Sequence, residues 1–526
     1  MATANIPEMQ TKTLVAPHFG YWFLALFAVT QIPLYWVQYP DITDFPNHMA
    51  RLHVQTHLPG SEILQRYYLL RPFQLGTNLA MDVVVPALAR WMSDLLALKL
   101  FASLAILLVT SGAVALGYAI TGRIGYILLG ALIFSHNAMF QLGLFNYMLG
   151  LGVAFWLLAA WICFRSRLGL MQRIAFAIGC VLVYSCHLSA FGIYAIGVLG
   201  YELGYLSTQG NLPKRPPWKS LFLSLTQFIP VAMLHLLVSI SAGNYAPMSF
   251  SGSWLQTALT WLIHKLTILV LSPSICVSGY TLGQSVFGFL LVFVLYVGFR
   301  EQVLKLASPV RRIAGLLTVT IVLLPHAGFG SNLVDIRLIP ALGLLVCAGL
   351  EINERSKLEP KFVLAGIAIV VTLISMETTR EWKVRDAEYQ HVRTALSQIQ
   401  EGSKLATVVL NENTESPSIS PHVGAWSVID RSAFLSNFYL WPFQPFLVSY
   451  QLPYIRLATL ARTDSPGAPP TRYEVLEENY DYILVFGGNE TKNMHHPQNI
   501  KLIFISRSMR LFRTDAAKPG KNIKNK

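Results

Sequence analysis

Apolar runs of about 15 to 24 residues recur from Tyr21 to Met376, and this repetition constrains the chain more than any other feature. A hydrocarbon core is crossed by roughly 20 residues of helix, because nothing there but the chain itself can satisfy backbone polar groups. Only 13% of residues are charged and 53% are hydrophobic, against a charged fraction of roughly 25% in soluble domains. The chain therefore reads as a polytopic α-helical membrane protein. After Arg380 short apolar runs alternate with Asn, Ser, Pro and charge, which suits a small α/β domain outside the bilayer.

Eleven spans are expected, at 21–37, 97–120, 124–142, 147–164, 174–186, 188–202, 221–240, 281–299, 313–324, 338–350 and 362–376. The division of 174–202 into two spans keeps the basic loops on one side. With the N-terminus in the cytoplasm, Arg123, then Arg165, Arg167 and Arg173, then Lys214, Arg215 and Lys219 fall inside. So do Arg300, Lys305, Arg311 and Arg312, and then Arg355, Lys357 and Lys361, while the loops near Gly143, Gly243 and Ser331 are nearly free of cations. The apolar pieces 78–96 and 254–271 are expected to be interfacial or re-entrant segments on the outer side. The predicted organisation is a cytoplasmic leader at 1–20, a membrane domain at 21–378 with a long outer loop at 39–96, an extracytoplasmic α/β domain at 379–515 and a basic disordered tail at 516–526. The first apolar run reads as a retained helix, and a bacterial inner membrane is the expected location.

The net charge of +13 collects in loops and tail, which fits attraction to anionic lipid better than binding of nucleic acid. All five cysteines lie in or beside apolar runs, so they read as packing residues and not as a disulfide framework.

The outer loop is longer than a connection needs. Asp41-Ile-Thr-Asp44-Phe-Pro-Asn-His48 follows the first span directly, and ionisable groups at a bilayer edge point to function. Asp44 with Pro46 predicts a helix start, with Phe45, Met49 and Leu52 on one stripe, His48 and Arg51 on another face, and Gly60 as its end. Arg66-Tyr67-Tyr68-Leu-Leu-Arg71-Pro72 then gathers aromatic and basic groups suited to a phosphate. The plain alternative is that Asp44 only caps the helix and Asp41 is solvated.

These residues resemble the GT-C superfamily of membrane glycosyltransferases, especially the aminoarabinose and protein-mannosyl transferases that use polyprenyl-phosphate sugars. That family places an acidic residue on a short helix directly after the first span, a position that Asp44 and Asp41 match. The aminoarabinose type adds a Gly, a Tyr and a Lys-Pro-Pro element, similar to Gly60, Tyr67 or Tyr68, and Arg71-Pro72 here. One Pro stands in place of two, Arg in place of Lys, and the adjacent acidic pair is spread into Asp-Ile-Thr-Asp. The resemblance implies a GT-C-like fold and transfer of a sugar from a polyprenyl phosphate to a glycan, lipid or protein acceptor outside the cytoplasm.

A polyprenyl phosphate leaves readily, so one carboxylate that takes the acceptor's proton suffices, unlike the paired carboxyls of glycoside hydrolysis. Asp44 is the expected base, with Asp41 as its substitute or as a metal partner. Arg71 and Arg337 are the expected phosphate contacts, the latter with Asp335 as a local ion-pair alternative. His187 sits at the predicted outer apex beside Ser185 and Ser189. A divalent Mg or Mn could be held by Asp41, Asp44 and His48. Gly487-Gly488 reads as a strand-ending turn, His495-His496 as surface sequence, and the aromatic segment around Trp441 as a cover for the cavity or a membrane contact. A transporter or glycan flippase, and a noncatalytic envelope-assembly subunit, are the competing readings; no internal repeat favours the first.

Overall fold

The computed structural model describes residues 14–165, 168–208, 217–241, 254–277, 282–327, 332–409, 422–438, 447–460, 473–486, 500–506 and 509–514. Gly487-Gly488, His495-His496, Trp441 and the 516–526 tail lie outside the described residues, as does most of the 1–20 leader. Most of the apolar sequence forms helix. Five helical stretches are long and apolar enough to cross a membrane: Asp94–Thr121, Phe145–Phe164, Leu221–Val238, Ala258–Val277 and Pro360–Leu396. Shorter apolar helices among the described residues are Ala80–Ala89, Leu170–Cys186, Leu188–Gly204, Ser285–Arg300 and Leu338–Gly349, which fits a helical membrane protein without fixing the number of spans at eleven.

Three expectations are corrected. The run 124–142 is not one helix but a 3-10 segment Tyr126–Phe134 followed by a short helix Ala138–Gln141. Asn137 breaks the run by turning its side-chain oxygen onto the backbone N–H groups of Met139 and Phe140, capping the second piece. The interfacial piece at 254–271 belongs to a 24-residue helix, Trp254–Val277, which keeps Pro273 inside it. Its charge is satisfied locally, since Lys265 Nζ donates to the carbonyls of Ile321 and Leu324 at 3.0 and 2.6 Å. Finally, the span expected at 362–376 does not end there but continues as one helix, Pro360–Leu396. The break within 174–202 occurs where expected: His187 is extended, at φ −167° and ψ 134°, between Leu170–Cys186 and Leu188–Thr208.

The chain divides into two compact units, one of Met1–Pro33, Leu75–Ala80 and Ala102–Thr378, the other of Leu34–Gln74, Met81–Phe101 and Thr379–Lys526. Within the first, helices Asp94–Thr121 and Phe145–Phe164 pass so closely that a Cβ on Gly152 would lie 2.4 Å from the Leu108 carbonyl carbon. Only glycine permits that approach, the usual device of helix pairs in lipid. Segments that the charge pattern assigns to one face pair with each other. Leu304–Leu306 runs antiparallel to Leu350–Ile352, and Leu14–Val15 runs parallel to Arg123–Ile124.

In the second unit a five-stranded sheet has the order Lys501–Ile505, Met509–Arg513, Tyr482–Phe486, Lys404–Val409, Phe434–Leu435. Lys404–Val409 is parallel to both of its neighbours, whereas Met509–Arg513 is antiparallel to both of its own. Strand Tyr482–Phe486 is buried along its whole length, which explains its continuous apolar sequence. Residues 39–74 and 81–96 of the long loop belong to this unit. Its strand Tyr68–Leu70 pairs antiparallel with Val448–Tyr450, in the register Tyr68 opposite Tyr450.

Candidate active site

The loop helix Phe45–His57 starts after Asp44, with Pro46 in its first turn, and its buried side includes the expected stripe of Phe45, Met49 and Leu52. It packs against Trp426–Arg431 of the C-terminal portion, and the 3-10 turn Leu58–Gly60 ends it. Asp44 occupies the cap position without capping: its side chain makes no hydrogen bond to the helix N-terminus. Instead its Oδ1 lies 3.2 Å from His422 Nε2, and both side chains are about four-fifths buried, at 21% and 18% exposure. The cap alternative for Asp44 is thereby replaced by a carboxylate–imidazole pair.

Burial alone would raise the Asp44 carboxyl, but the hydrogen bond and charge of His422, with His48 and Arg51 nearby, outweigh it and hold the group below the usual carboxylate range. Asp41 goes the other way. Burial pushes it up more than Arg385, 3.8 Å away, and the hydroxyl of Tyr389, donating at 3.2 Å, pull it down. Two carboxylates three residues apart thus shift in opposite directions, Asp44 toward the carboxylate and Asp41 toward the acid.

The Asp41 shift has a measurable sign. Because its folded-state value is raised, the folded chain holds more protons than the unfolded chain just above the ordinary carboxylate range, and the Asp41 contribution to stability falls as pH rises through that window. Asp41→Asn is expected to melt at or above the wild-type temperature at pH 7, with a smaller difference at pH 4. Thermal unfolding at the two pH values checks this; a variant that melts lower at pH 7 would mean that the bonds to Tyr389 and Arg385 outweigh burial.

Arg51 Nη2 lies 2.8 Å from Asp82 Oδ1, with side-chain exposures of 4% and 1%, so this guanidinium is committed to a buried ion pair. His48, Arg51, Gln55 and Asp82 line a small void between the loop helix and Ala80–Ala89. Asn47, 3% exposed and one turn from Asp44, has neither its amide oxygen nor its nitrogen hydrogen-bonded within the protein. Tyr67 and Tyr68 donate their hydroxyls to the carbonyls of Gly402 and Ala433, the latter at 2.9 Å, and so anchor the loop. Arg71 remains half-buried, with Nη2 donating to Ser449 Oγ at 2.8 Å.

The first unit carries a second polar cluster. Arg337 Nη1 faces His187 Nε2 at 3.3 Å, and the Tyr147 hydroxyl donates to the Arg337 carbonyl. The local Asp335 to Arg337 pair is not what forms. Asp335, fully buried, takes Lys265 Nζ at 2.5 Å and His264 Nε2 at 2.9 Å on one oxygen, and His326 Nδ1 at 3.1 Å and the Ile336 N–H at 2.9 Å on the other. Burial opposes its ionisation, yet the bonds from His326, Lys265 and His264 together hold it far below the usual range. A cavity of about 370 Å³ in this unit is lined by apolar side chains such as Phe134, Phe287, Leu350 and Phe362, and by none of the expected site residues.

The expected Mg or Mn site does not assemble. Among the described residues, the groups of three His or carboxylate side chains whose ligand atoms lie within 4.8 Å of one another are His53, His57, Asp94 and His264, His326, Asp335. Asp41, Asp44 and His48 are not such a group, because Asp41 turns to Tyr389 and Asp44 to His422. Sequence reasoning missed His422 and Asp82. Asp82 had a signal, since a carboxylate inside the apolar stretch 80–89 must find a cation if it is buried. His422 had none. Comparison with protein-family models and with curated proteins gives no match.

Proposed function

We propose that the chain is an integral-membrane glycosyltransferase of GT-C type that moves one sugar from a polyprenyl phosphate to an acceptor hydroxyl outside the cytoplasm, in a bacterial inner membrane. One observation carries the reading: Asp44, the residue that matches the family's acidic position, is held ionised against His422 instead of capping its helix. In the proposed reaction the acceptor oxygen forms a bond to the anomeric carbon, the bond from that carbon to the phosphate oxygen breaks, and the hydroxyl proton passes to the Asp44 carboxylate. Inversion at the anomeric carbon follows from a single displacement.

His422 orients the carboxylate and Asn47 offers one acceptor and two donors for sugar hydroxyls. Arg71 is the proposed contact for the departing phosphate, whose developing charge is best met by a fixed cation. Arg51 is not assigned to the phosphate, because moving it would strand Asp82. Tyr67 and Tyr68 serve by anchoring the loop. Since Asp41, Asp44 and His48 do not converge, no step is routed through Mg or Mn.

The test is the purified chain in lipid nanodiscs with a panel of polyprenyl-phosphate sugars and acceptor hydroxyls, read as release of polyprenyl phosphate. Acceptor-dependent release with at least one donor is the expected result. Movement of an intact lipid-linked sugar across the bilayer without release would instead establish a flippase.

A further inference from the structure

We propose that His53, His57 and Asp94 bind one zinc ion. The two histidines stand four residues apart on the loop helix, so they project from the same face one turn apart. Their rings stack with centroids 4.2 Å apart and planes 22° from parallel. Asp94 opens the next long helix, Asp94–Thr121, and a ligand atom from each of the three residues lies within 4.8 Å of the others.

The His57 ring is prepared for a metal by its own helix. Its Nδ1 lies 3.1 Å from the His53 carbonyl oxygen and 2.8 Å from Thr56 Oγ1. A carbonyl only accepts, so the proton belongs on Nδ1 and the lone pair of Nε2 is left as the ligand. Fixing the tautomer of a metal-binding imidazole through its second nitrogen is the usual arrangement around zinc.

The donor set chooses the ion. Two imidazoles and one carboxylate suit zinc and are poor ligands for magnesium, which prefers oxygen throughout. Tetrahedral ligation with bonds of about 2 Å puts ligand atoms roughly 3.3 Å apart. The three atoms here must draw inward, and of the three side chains that of His57 is exposed. A water can complete the fourth position.

The other His–carboxylate cluster is less suited. At Asp335 the Lys265 ammonium already occupies the oxygen that His264 contacts, and a metal would have to expel a cation. No lysine is paired with Asp94 among the described ion pairs.

Zinc at this position would clip the end of the loop helix to the first turn of Asp94–Thr121. Asp44 lies at the other end, roughly 18 Å away at 1.5 Å per residue, so the ion would position the loop and take no part in bond making. The inference does not depend on the proposed transferase activity.

The test uses the full chain in nanodiscs, with any histidine tag removed and metal stripped by chelator. Zinc is added, excess is removed by gel filtration, and retained metal is counted by mass spectrometry. Wild type is expected to keep one equivalent and to melt at a higher temperature with zinc. With cobalt as the probe it should show the visible bands of a tetrahedral site. His57→Ala and Asp94→Asn should each bind at least tenfold more weakly and lose those bands, while melting like metal-free wild type. Failure of wild type to retain zinc, or retention by both variants equal to wild type, would overturn the proposal. The wild-type cobalt spectrum decides the case even if a variant does not fold.

Discussion

Asp44→Asn is expected to slow acceptor-dependent release of polyprenyl phosphate by a factor of about 10²–10⁴, the range lost when a positioned base is removed. At roughly 1.36 kcal/mol per decade this corresponds to about 2.7 to 5.4 kcal/mol of barrier. Asparagine keeps the size and the hydrogen bonding of the side chain but cannot take a proton, so donor binding should be nearly unchanged. The loss should therefore fall on kcat, as for an interaction made only in the transition state. His422→Gln should cost less, because a glutamine amide can still donate to the Asp44 oxygen that His422 Nε2 now contacts at 3.2 Å. Since Asp44 is held below the usual carboxylate range, lowering the pH to 5 should not switch it off. Initial rates and donor affinities measured side by side decide the matter: a full rate for Asp44→Asn would end the assignment of this residue as base.

Asp82→Ala is expected to be the most destabilising single substitution in the outer loop, by about 3–5 kcal/mol, the cost of removing one member of a buried ion pair. The magnitude follows from geometry. Arg51 and Asp82 are both almost fully removed from solvent, with side-chain exposures of 4% and 1%, and an alanine would leave the guanidinium charged and without its carboxylate. The Arg51→Met, Asp82→Leu double variant removes both charges and should recover most of the loss, since apolar residues of similar volume replace buried pairs at little cost. Thermal unfolding of wild type, the single variants Arg51→Met and Asp82→Leu, and the double variant gives the coupling, and Asp82→Ala is measured beside them. A single variant that melts with wild type would show that the pair contributes nothing.

Apolar periodicity located most helices to within a few residues, and it did so because burial in either lipid or protein asks for the same side chains. The same ambivalence explains the failure at 124–142. Leu128 to Phe134 are buried in the protein, so their apolar character did not require a membrane span. The segment from Trp254 was set apart from the spans because it carries His264 and Lys265, whereas the Lys265 ammonium is answered by two carbonyls and Asp335. At the candidate site the sequence displayed the local half of each interaction. Asp44, Arg51 and Tyr67 were visible as unusual residues beside an apolar span. The partners His422 and Gly402 were not, since each contact closes a distant part of the chain and leaves no spacing to read, whereas Asp82, a carboxylate inside an apolar stretch, was legible as a group in need of a cation.

The pairing of Tyr68–Leu70 with Val448–Tyr450 also sets a clock. Arg71 and Ser449, joined beside that ladder, are 378 residues apart in the chain. At a synthesis rate of about 5–20 residues per second, roughly 20 to 75 s pass between the emergence of one and of the other. For that interval the loop helix has neither its strand partner nor His422. Asp44 acquires the neighbour that holds it ionised only after nearly the whole chain has been made.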